Sequence, residues 1–240
     1  MISIDQRIAK LKGHVLIFSQ EFRGLIECFE MLVPVAENRE LLKKISKTRR
    51  APGVGTVRWS LVQICILGIT KLAYDNGSRN PTAATLIEAI AAPPSQSLRE
   101  KLKDAFSIPI KPGLIPGDSS TEVDLAVWQE IEKIEVQELR HSFEQYLPEL
   151  ERQREWFSQH EDAFKELRDK RFAHVDVTLV NGEYKLCEVE PPAWNTVKEA
   201  VQRLVQVAEI LLTILHQKDE SFGQAIENAR EEAADFWELG

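Results

Sequence analysis

An apolar stripe at the N-terminus constrains the fold more than any other feature of the chain. Apolar side chains recur there in alternating steps of four and three, at Ile4, Ile8, Leu11, Val15, Phe18, Phe22, Leu25, Phe29 and Leu32. This spacing is typical of one face of a long bundle helix, and no alternating strand pattern competes with it. Ser3 and Gln6 match a capping box at its start, and Pro34 predicts a kink or an end. At about 1.5 Å per residue, the predicted helix is roughly 45 Å long.

The next segment predicts a short helix and then a long apolar one. NRELLKKISK is typical of a short helix, APGVG predicts a loop, and Thr56 is then the cap of a helix that reaches Tyr74. Because residues 59–74 are almost uniformly apolar, we expect this helix to be buried at the centre of a bundle. Gln63 and Lys71 interrupt the run, which is shorter than the roughly 20 apolar residues of a membrane span, so no membrane contact is expected.

Residues 82–174 predict further helices separated by one irregular crossover. Thr82 caps the segment AATLIEAIA, a short amphipathic helix follows Pro93 and Pro94, and three prolines within 108–121 indicate a crossover. A long helix then starts near 118–121. The side chains available to face inward from it include Val123, Val127, Ile131, Ile134 and Leu139.

Two signals along this long helix indicate an interruption. Pro148 predicts a bend or a break. Ser158 with Glu161 then matches a fresh capping box, so residues 159–174 form either a separate helix or the continuation of a kinked one.

The period changes after residue 174. VDVTLVNGEYKLCEVE contains two short β-prone runs around Asn181-Gly182, which favours a small β-hairpin that must lean on the helices. A helix from about Ala193 to His216 returns to the four-and-three rhythm, and a last helix from Ser221 toward Trp237 has a polar middle. We therefore predict an all-α, up-and-down helical bundle with a small β-hairpin after the motif helix.

Length and composition bound the domain organisation and the compartment. A chain of 240 residues with 43% hydrophobic residues can bury one substantial core, so we predict one domain over 1–240, with core helices over about 3–216 and a peripheral helix over about 221–237. Cys28, Cys65 and Cys187 are odd in number and far apart, which favours reduced thiols in a cytoplasmic protein.

Several site classes are disfavoured by the residues. GLIPGDSS lacks the Gly-Lys-Ser/Thr step of a phosphate loop, and GVG does not follow a strand. The five histidines show no metal-ligand spacing; Asp176, Glu188 and Glu190 could meet on the hairpin, although a solvated edge is the simpler interpretation. No metal site and no cofactor is predicted.

One basic cluster stands out against the net charge of −8. It holds six cations and no acidic residue within sixteen positions, namely Lys43, Lys44, Lys47, Arg49, Arg50 and Arg58. If they share a face, they would attract phosphate groups. The alternative is a solvated helix end, since cations favour a helix C-terminus.

A second group of cations lies in LRDKRFAH, residues 167–174, at the end of a predicted helix. On an α-helical wheel His174 lies near Lys170 and Arg171, whereas Arg168 is displaced from it by about 120°. Arg168 and His174 could still meet through the long arginine side chain, a distorted helix end or a second subunit. The alternative is that the cations and the histidine only stabilise the helix C-terminus.

This segment resembles a known motif. Arg168 followed by Asp169, with His174 after five intervening residues, resembles the Arg-x(4-6)-His motif of the HEPN superfamily (higher eukaryotes and prokaryotes nucleotide-binding). The longer form Arg-Asp-Lys-x-x-Ala-His is similar to that of the HEPN proteins of the bacterial abortive-infection U type. The resemblance covers the long helices to about His216 and is sharpest at the motif.

The resemblance implies a metal-independent endoribonuclease, usually a homodimer whose paired motifs line one cleft, acting in phage defence or as a toxin. By that analogy His174 transfers protons, Arg168 holds the phosphate and Asp169 orients one of them. From charge and position we add Lys170, Arg171 and the basic cluster as contacts to RNA. A toxin of this type would also have an antitoxin or other neutralising protein. Some members of the superfamily are non-catalytic modules that bind RNA, a nucleotide or a protein, and this alternative stays open.

Overall fold

The computed structural model describes residues 3–75, 81–108, 122–173, 177–180, 183–186, 189–216 and 221–238. Helices and strands follow one another as α1 (Ile4–Glu37), α2 (Arg39–Ser46), α3 (Ala51–Tyr74), α4 (Ala83–Ala91), α5 (Gln96–Phe106), α6 (Glu122–Leu167), a π-helical segment (Arg168–Ala173), β1 (Val177–Val180), β2 (Glu183–Leu186), α7 (Trp194–His216) and α8 (Gly223–Glu238). The all-α bundle expected from the sequence is confirmed.

Helix α1 begins where its local chemistry predicts. The Ser3 hydroxyl accepts the backbone N–H of Gln6, and the Gln6 side chain accepts the backbone N–H of Ser3. This reciprocal pair satisfies two donors that the first helical turn leaves free. Pro34 does not end the helix, which continues to Glu37, and the N–H of Asn38 still reaches the carbonyl of Pro34.

The predicted loop APGVG and the cap at Thr56 are wrong. Helix α3 starts at Ala51, and the Thr56 hydroxyl donates to the carbonyl of Pro52 within it. Pro52 is the second residue of α3, a position where its missing N–H has no intrahelical partner in any case. The two glycines cost helix stability, but they do not prevent the turn from forming.

Of the alternatives predicted for the long helix, the break at Pro148 and the separate helix after Ser158 are wrong, whereas a bend at Pro148 stays a prediction. Helix α6 runs unbroken from Glu122 to Leu167, through both Pro148 and Ser158. Leu147 and Leu150, which flank the proline, are both buried, and this burial offsets the local cost. In the N-terminal part of α6, Ile131 and Ile134 are exposed rather than inward-facing.

Four long helices alternate in direction around the core. Leu25 of α1 packs on Gly68 of α3, and Lys71 pairs with Glu21, so these helices run antiparallel. Helix α3 also packs antiparallel to α6, where the ring of Tyr74 contacts the rings of Phe157 and Phe164. Helix α7 then packs between α6 and α1, and the buried residues of all four form one continuous apolar cluster.

Helix α8, predicted to be a peripheral element, packs on the outside of α1. It packs along α1, where Arg230 pairs with the buried carboxylate of Glu30 at 2.9 Å and the Trp237 indole donates to the carbonyl of Met31 at 2.8 Å. Phe222, just before α8, contacts Phe22 of α1 edge to face. This helix therefore covers a face of α1 that would otherwise be open to water.

After the motif, the two four-residue strands pair antiparallel, with Val177 opposite Leu186 and Val180 opposite Glu183. The predicted turn at Asn181-Gly182 lies outside the described residues. The predicted loop at residues 75–82 and the crossover at 108–121 also lie largely outside them, as does Cys187.

Helix α3 is less buried than its composition predicts. By length and composition alone it could cross a membrane, and only 22% of its apolar window is buried. Its C-terminal half is buried against α1 and α6, whereas its N-terminal half projects into solvent. An apolar stripe along α3 is left exposed at Val57, Ile64 and Leu67.

Candidate functional site

The motif residues lie on a change of helix type. At Leu167 helix α6 ends, and Arg168–Ala173 continue it as a single π-helical segment. In this conformation each hydrogen bond spans five residues instead of four, so the α-helical wheel used for the sequence does not apply. π-helical turns are rare and are frequent at functional sites.

Arg168 is held in place by its neighbour in the chain. Its Nε donates to Oδ1 of Asp169 at 2.6 Å. The side chain of Arg168 is 25% exposed, whereas that of Asp169 is 53% exposed. The hydrogen bond to Asp169, with the charges of Asp169 and Asp75, raises the pKa of Arg168 against the opposing effect of burial. The guanidinium is therefore a fixed, permanently charged group at the end of the bundle.

The other motif residues differ in how far they are placed. Lys170 pairs with Glu166, one turn earlier, at 2.6 Å, so its ammonium points back along α6. Arg171 belongs to the π-helical segment, but its side chain and all of His174 lie outside the described part of the chain. The relation of His174 to Arg168 and Asp169 stays a prediction.

A contact with α3 anchors the π-helical segment. The ring of Phe172 meets the indole of Trp59 edge to face, with centroids 5.7 Å apart and planes at 71°. Trp59 nevertheless keeps 48% of its surface exposed. Sequence reasoning missed this residue, although a tryptophan directly after Arg58 in a basic segment could have indicated it.

The basic cluster occupies the connection between α2 and α3. Lys43 and Lys44 lie in the last turn of α2, Lys47, Arg49 and Arg50 in the connection, and Arg58 in the N-terminal part of α3, and all six are exposed. Lys43 pairs with Glu40 at 2.7 Å. Arg50 occupies the N-cap of α3 without a side-chain cap, and the first turn holds no acidic residue. The positive end of the α3 dipole therefore adds to the charge of the cluster.

The Trp59–Phe172 contact brings the projecting end of α3 to the motif. Arg58 and Trp59 are neighbours in the chain, and Phe172 is four residues after Arg168. The cations at the start of α3 and those of the π-helical segment are thus at the same end of the bundle, although they are distant in sequence.

The described histidines have structural contacts elsewhere. A ring nitrogen of His160 lies 2.8 Å from the carbonyl of Trp156, and the ring stacks on that indole; His216 lies 3.1 Å from the carbonyl of Lys12. Burial, with the charge of Lys10, lowers the pKa of His14. His141 contacts Gln145 on the exposed side of α6.

Within the part of the chain that the structure describes, no group of three histidine, cysteine or carboxylate side chains could hold a metal ion. Of the three carboxylates considered on the hairpin, Glu190 is exposed, and Asp176 and Glu188 lie outside the described residues.

A polar groove lies between α6 and α7. It comprises adjoining cavities of about 560 and 360 Å³ that share Glu149 and Gln206. Buried Gln153 lines the smaller cavity and forms hydrogen bonds with Gln206 and Arg203, both at 2.8 Å. Gln153 precedes Arg168 by 15 residues, which is about 22 Å along a helix, so the groove and the motif are separate features.

The comparison with protein families decides the family of the chain. The model of HEPN_AbiU2, described as AbiU2, matches residues 8–236. This chain belongs to the AbiU2 family. The match to AbiU2 includes the motif segment and reaches well into α8, beyond the His216 limit set from the sequence. No curated protein and no solved structure gives a significant match. As a HEPN protein of an abortive-infection family, this AbiU2 member is a phage-defence protein.

Proposed function

We propose that this AbiU2-family protein is a metal-independent endoribonuclease that acts as a toxin in phage defence. The observation that supports it most is the Arg168–Asp169 pair, a fixed guanidinium on the π-helical segment of the family motif. A fixed positive group is most effective in catalysis where negative charge develops on a reacting phosphate.

The chemistry assigns one role to each motif residue. The 2'-oxygen of a ribose attacks the adjacent phosphorus while the P–O5' bond breaks, leaving a 2',3'-cyclic phosphate and a 5'-hydroxyl. His174 takes the proton of the 2'-hydroxyl or returns a proton to the departing 5'-oxygen. Arg168 neutralises the charge that develops on the phosphoryl oxygens.

Asp169 is the group that orients the catalytic pair. It already fixes Arg168 at 2.6 Å. It also precedes His174 by five residues, which equals the hydrogen-bond spacing of a π-helix. We therefore propose that one carboxylate serves both the guanidinium and the imidazole.

Substrate RNA is held by cations at two places. The basic cluster of six exposed side chains attracts the RNA backbone from the α2–α3 connection, and Lys170 and Arg171 hold it beside the motif. The chain as a whole carries a net charge of −8, so attraction of RNA requires a local concentration of cations such as this one.

A homodimer completes the proposed site. The family resemblance implies paired motifs in one cleft, and the exposed stripe of Val57, Ile64 and Leu67 offers an apolar surface on the same helix as Arg58 and Trp59. We further place the protein in the cytoplasm, as a single domain in which the β-hairpin elaborates the HEPN bundle, and without a resident metal or cofactor. An antitoxin or other neutralising protein would restrain it.

One observation favours a second candidate, a non-catalytic binding or assembly module. Arg168 is paired with Asp169 and Lys170 with Glu166, so part of the motif's positive charge is neutralised within the chain. Such pairs are as expected at a purely structural helix end.

The test is cleavage of a structured RNA with excess chelator present, comparing wild type with His174→Ala and reading the product ends. Chelator-resistant products with 2',3'-cyclic phosphate ends, absent with the variant, support the ribonuclease. If correctly folded wild-type and variant proteins both leave a panel of RNAs intact, the binding module replaces it.

A further inference from the structure

We infer that Trp59 is a stacking platform for an unpaired base, which makes single-stranded RNA the substrate class at this site. The inference deepens the proposed function and rests on it. Trp59 is not part of the motif, and only the fold brings it to the site.

The geometry of Trp59 suits stacking. Its indole is supported by the edge-to-face contact with Phe172, and 48% of the residue is exposed. A large aromatic ring that is held on one side and open on the other offers a face to a nucleobase. Without a ligand, the exposed apolar surface of this indole stays in contact with water, which is unfavourable. A stacked base would cover it.

The position of Trp59 on α3 separates it from the exposed apolar stripe. At about 100° per residue, Trp59 lies roughly 160° from Val57, 140° from Ile64 and 80° from Leu67 around the helix, so Leu67 forms the edge of the stripe nearest to it. A surface that buries the stripe against another apolar surface is therefore centred away from Trp59. The indole belongs instead to the side of α3 that faces the π-helical segment.

The charges around Trp59 match a nucleic-acid backbone. Arg58 is the adjacent residue and is exposed, the other cations of the cluster precede it, and Arg168 is four residues before Phe172. Aromatic rings interleaved with cations bind single strands, because each base offers a π-face while the backbone offers phosphates. A paired base within a duplex has no free face to offer.

The experiment measures RNA binding in the His174→Ala protein, so that cleavage does not enter the readout. Fluorescence anisotropy would follow a labelled, unstructured RNA of about twelve nucleotides, with a duplex of equal length as comparison. Trp59→Ala is compared with Trp59→Phe, which keeps a ring, and with Phe236→Ala, which removes an exposed ring from α8.

Stacking predicts that Trp59→Ala weakens single-strand binding by roughly 5- to 100-fold, while Trp59→Phe stays within about threefold of the parent. The salt dependence should be unchanged, because no phosphate contact is lost. Phe236→Ala should bind single-stranded RNA as tightly as the His174→Ala parent protein does. The duplex should bind more weakly, and Trp59→Ala should not change its affinity.

A second readout does not depend on how Trp59→Ala folds. Single-stranded RNA should quench tryptophan fluorescence in the parent, and Trp59→Phe should lose that quenching while it retains binding. Quenching that persists in Trp59→Phe, or equal affinities of Trp59→Ala and Phe236→Ala, would overturn the platform.

These outcomes are separable from those of the ribonuclease test. If the protein cleaves RNA but Trp59→Ala leaves RNA binding unchanged, the stacking platform is refuted and the ribonuclease proposal stands. If single-stranded RNA binds in a way that depends on the Trp59 ring but no RNA is cleaved, the platform stands and the ribonuclease proposal is refuted. A parent protein that binds no single-stranded RNA overturns the platform whatever the cleavage assay shows.

Discussion

Arg168 and Asp169 are adjacent in the chain, and their side chains form an ion pair with Nε and Oδ1 2.6 Å apart. Because Nε is engaged, the two terminal nitrogens of the guanidinium are the part of Arg168 that can face a phosphate. The ion pair therefore orients the guanidinium of Arg168 and also offsets part of its charge.

Arg168→Ala should lower the single-turnover cleavage rate by about 10²- to 10³-fold, the cost of removing one group that stabilises transition-state charge. Arg168→Lys keeps the charge but loses the planar fork, so it should recover only part of this rate. Arg154→Ala is the matched control, since Arg154 is also an arginine paired with a carboxylate, that of Glu151 on α6. Equal rates for Arg168→Ala and Arg154→Ala would remove Arg168 from the chemistry.

Neutralising the basic cluster should change the salt dependence of RNA binding. Each of Arg49→Ala, Arg50→Ala and Arg58→Ala should weaken binding and reduce the slope of log K against log salt by about 0.7 for a single strand. Titrations at several salt concentrations measure this slope. Lys133→Ala, an exposed cation of α6 paired with Glu130, should leave the slope unchanged, and an identical effect there would argue against a local site.

Charged residues in the exposed stripe of α3 should dissociate the proposed homodimer. Ile64→Glu and Leu67→Glu place carboxylates in an interface that is apolar in the dimer, but in solvent within a monomer, so the helical content should not change. Light scattering after size exclusion gives the mass. The comparison is Ile134→Glu, an equally exposed apolar site on α6. A wild-type mass that Ile64→Glu does not alter would place any interface elsewhere.

Acid should weaken the attachment of α5 to α6. Hydrogen bonds from Lys103, at 2.8 Å, and Arg99, at 3.1 Å, hold the pKa of Glu144 below its usual value. The folded-state pKa is thus the lower one. The contribution is fully present above the unfolded-state value and is lost as the pH falls through the folded-state value.

Glu144→Gln should therefore be less stable than wild type near pH 7, by about 0.3–1 kcal/mol because the group is partly exposed and screened. The difference should vanish in acid. Urea unfolding at both pH values measures it. A deficit of equal size in acid and at neutral pH would mean that packing, rather than charge, is what the variant loses.

Local chemistry was the most predictable part of this fold. The caps at Ser3 and Thr82 were predicted correctly because each hydroxyl accepts the backbone N–H three residues later, although the same pattern at Ser158 lies inside α6. The loop before Thr56 and the break at Pro148 were wrong because a local penalty of a few kcal/mol, even for a proline within a helix, is smaller than what burial of the surrounding helix returns.

Tertiary context accounts for the other differences. The period of Ile131 and Ile134 shows a helix, but not whether another element covers it, and here both are exposed. The motif segment was visible as a string of residues, whereas the contact of Phe172 with Trp59 joins elements more than a hundred residues apart in the chain.

The π-helical segment also bears on the spacing of the motif. A π-helix accommodates more residues per turn than an α-helix, so a residue inserted or deleted here can be absorbed by a change of helix type instead of rotating all that follows. HEPN motifs place four to six residues between the arginine and the histidine. A segment that can change its winding would let such spacings differ among relatives while the two side chains keep the same relation to a phosphate.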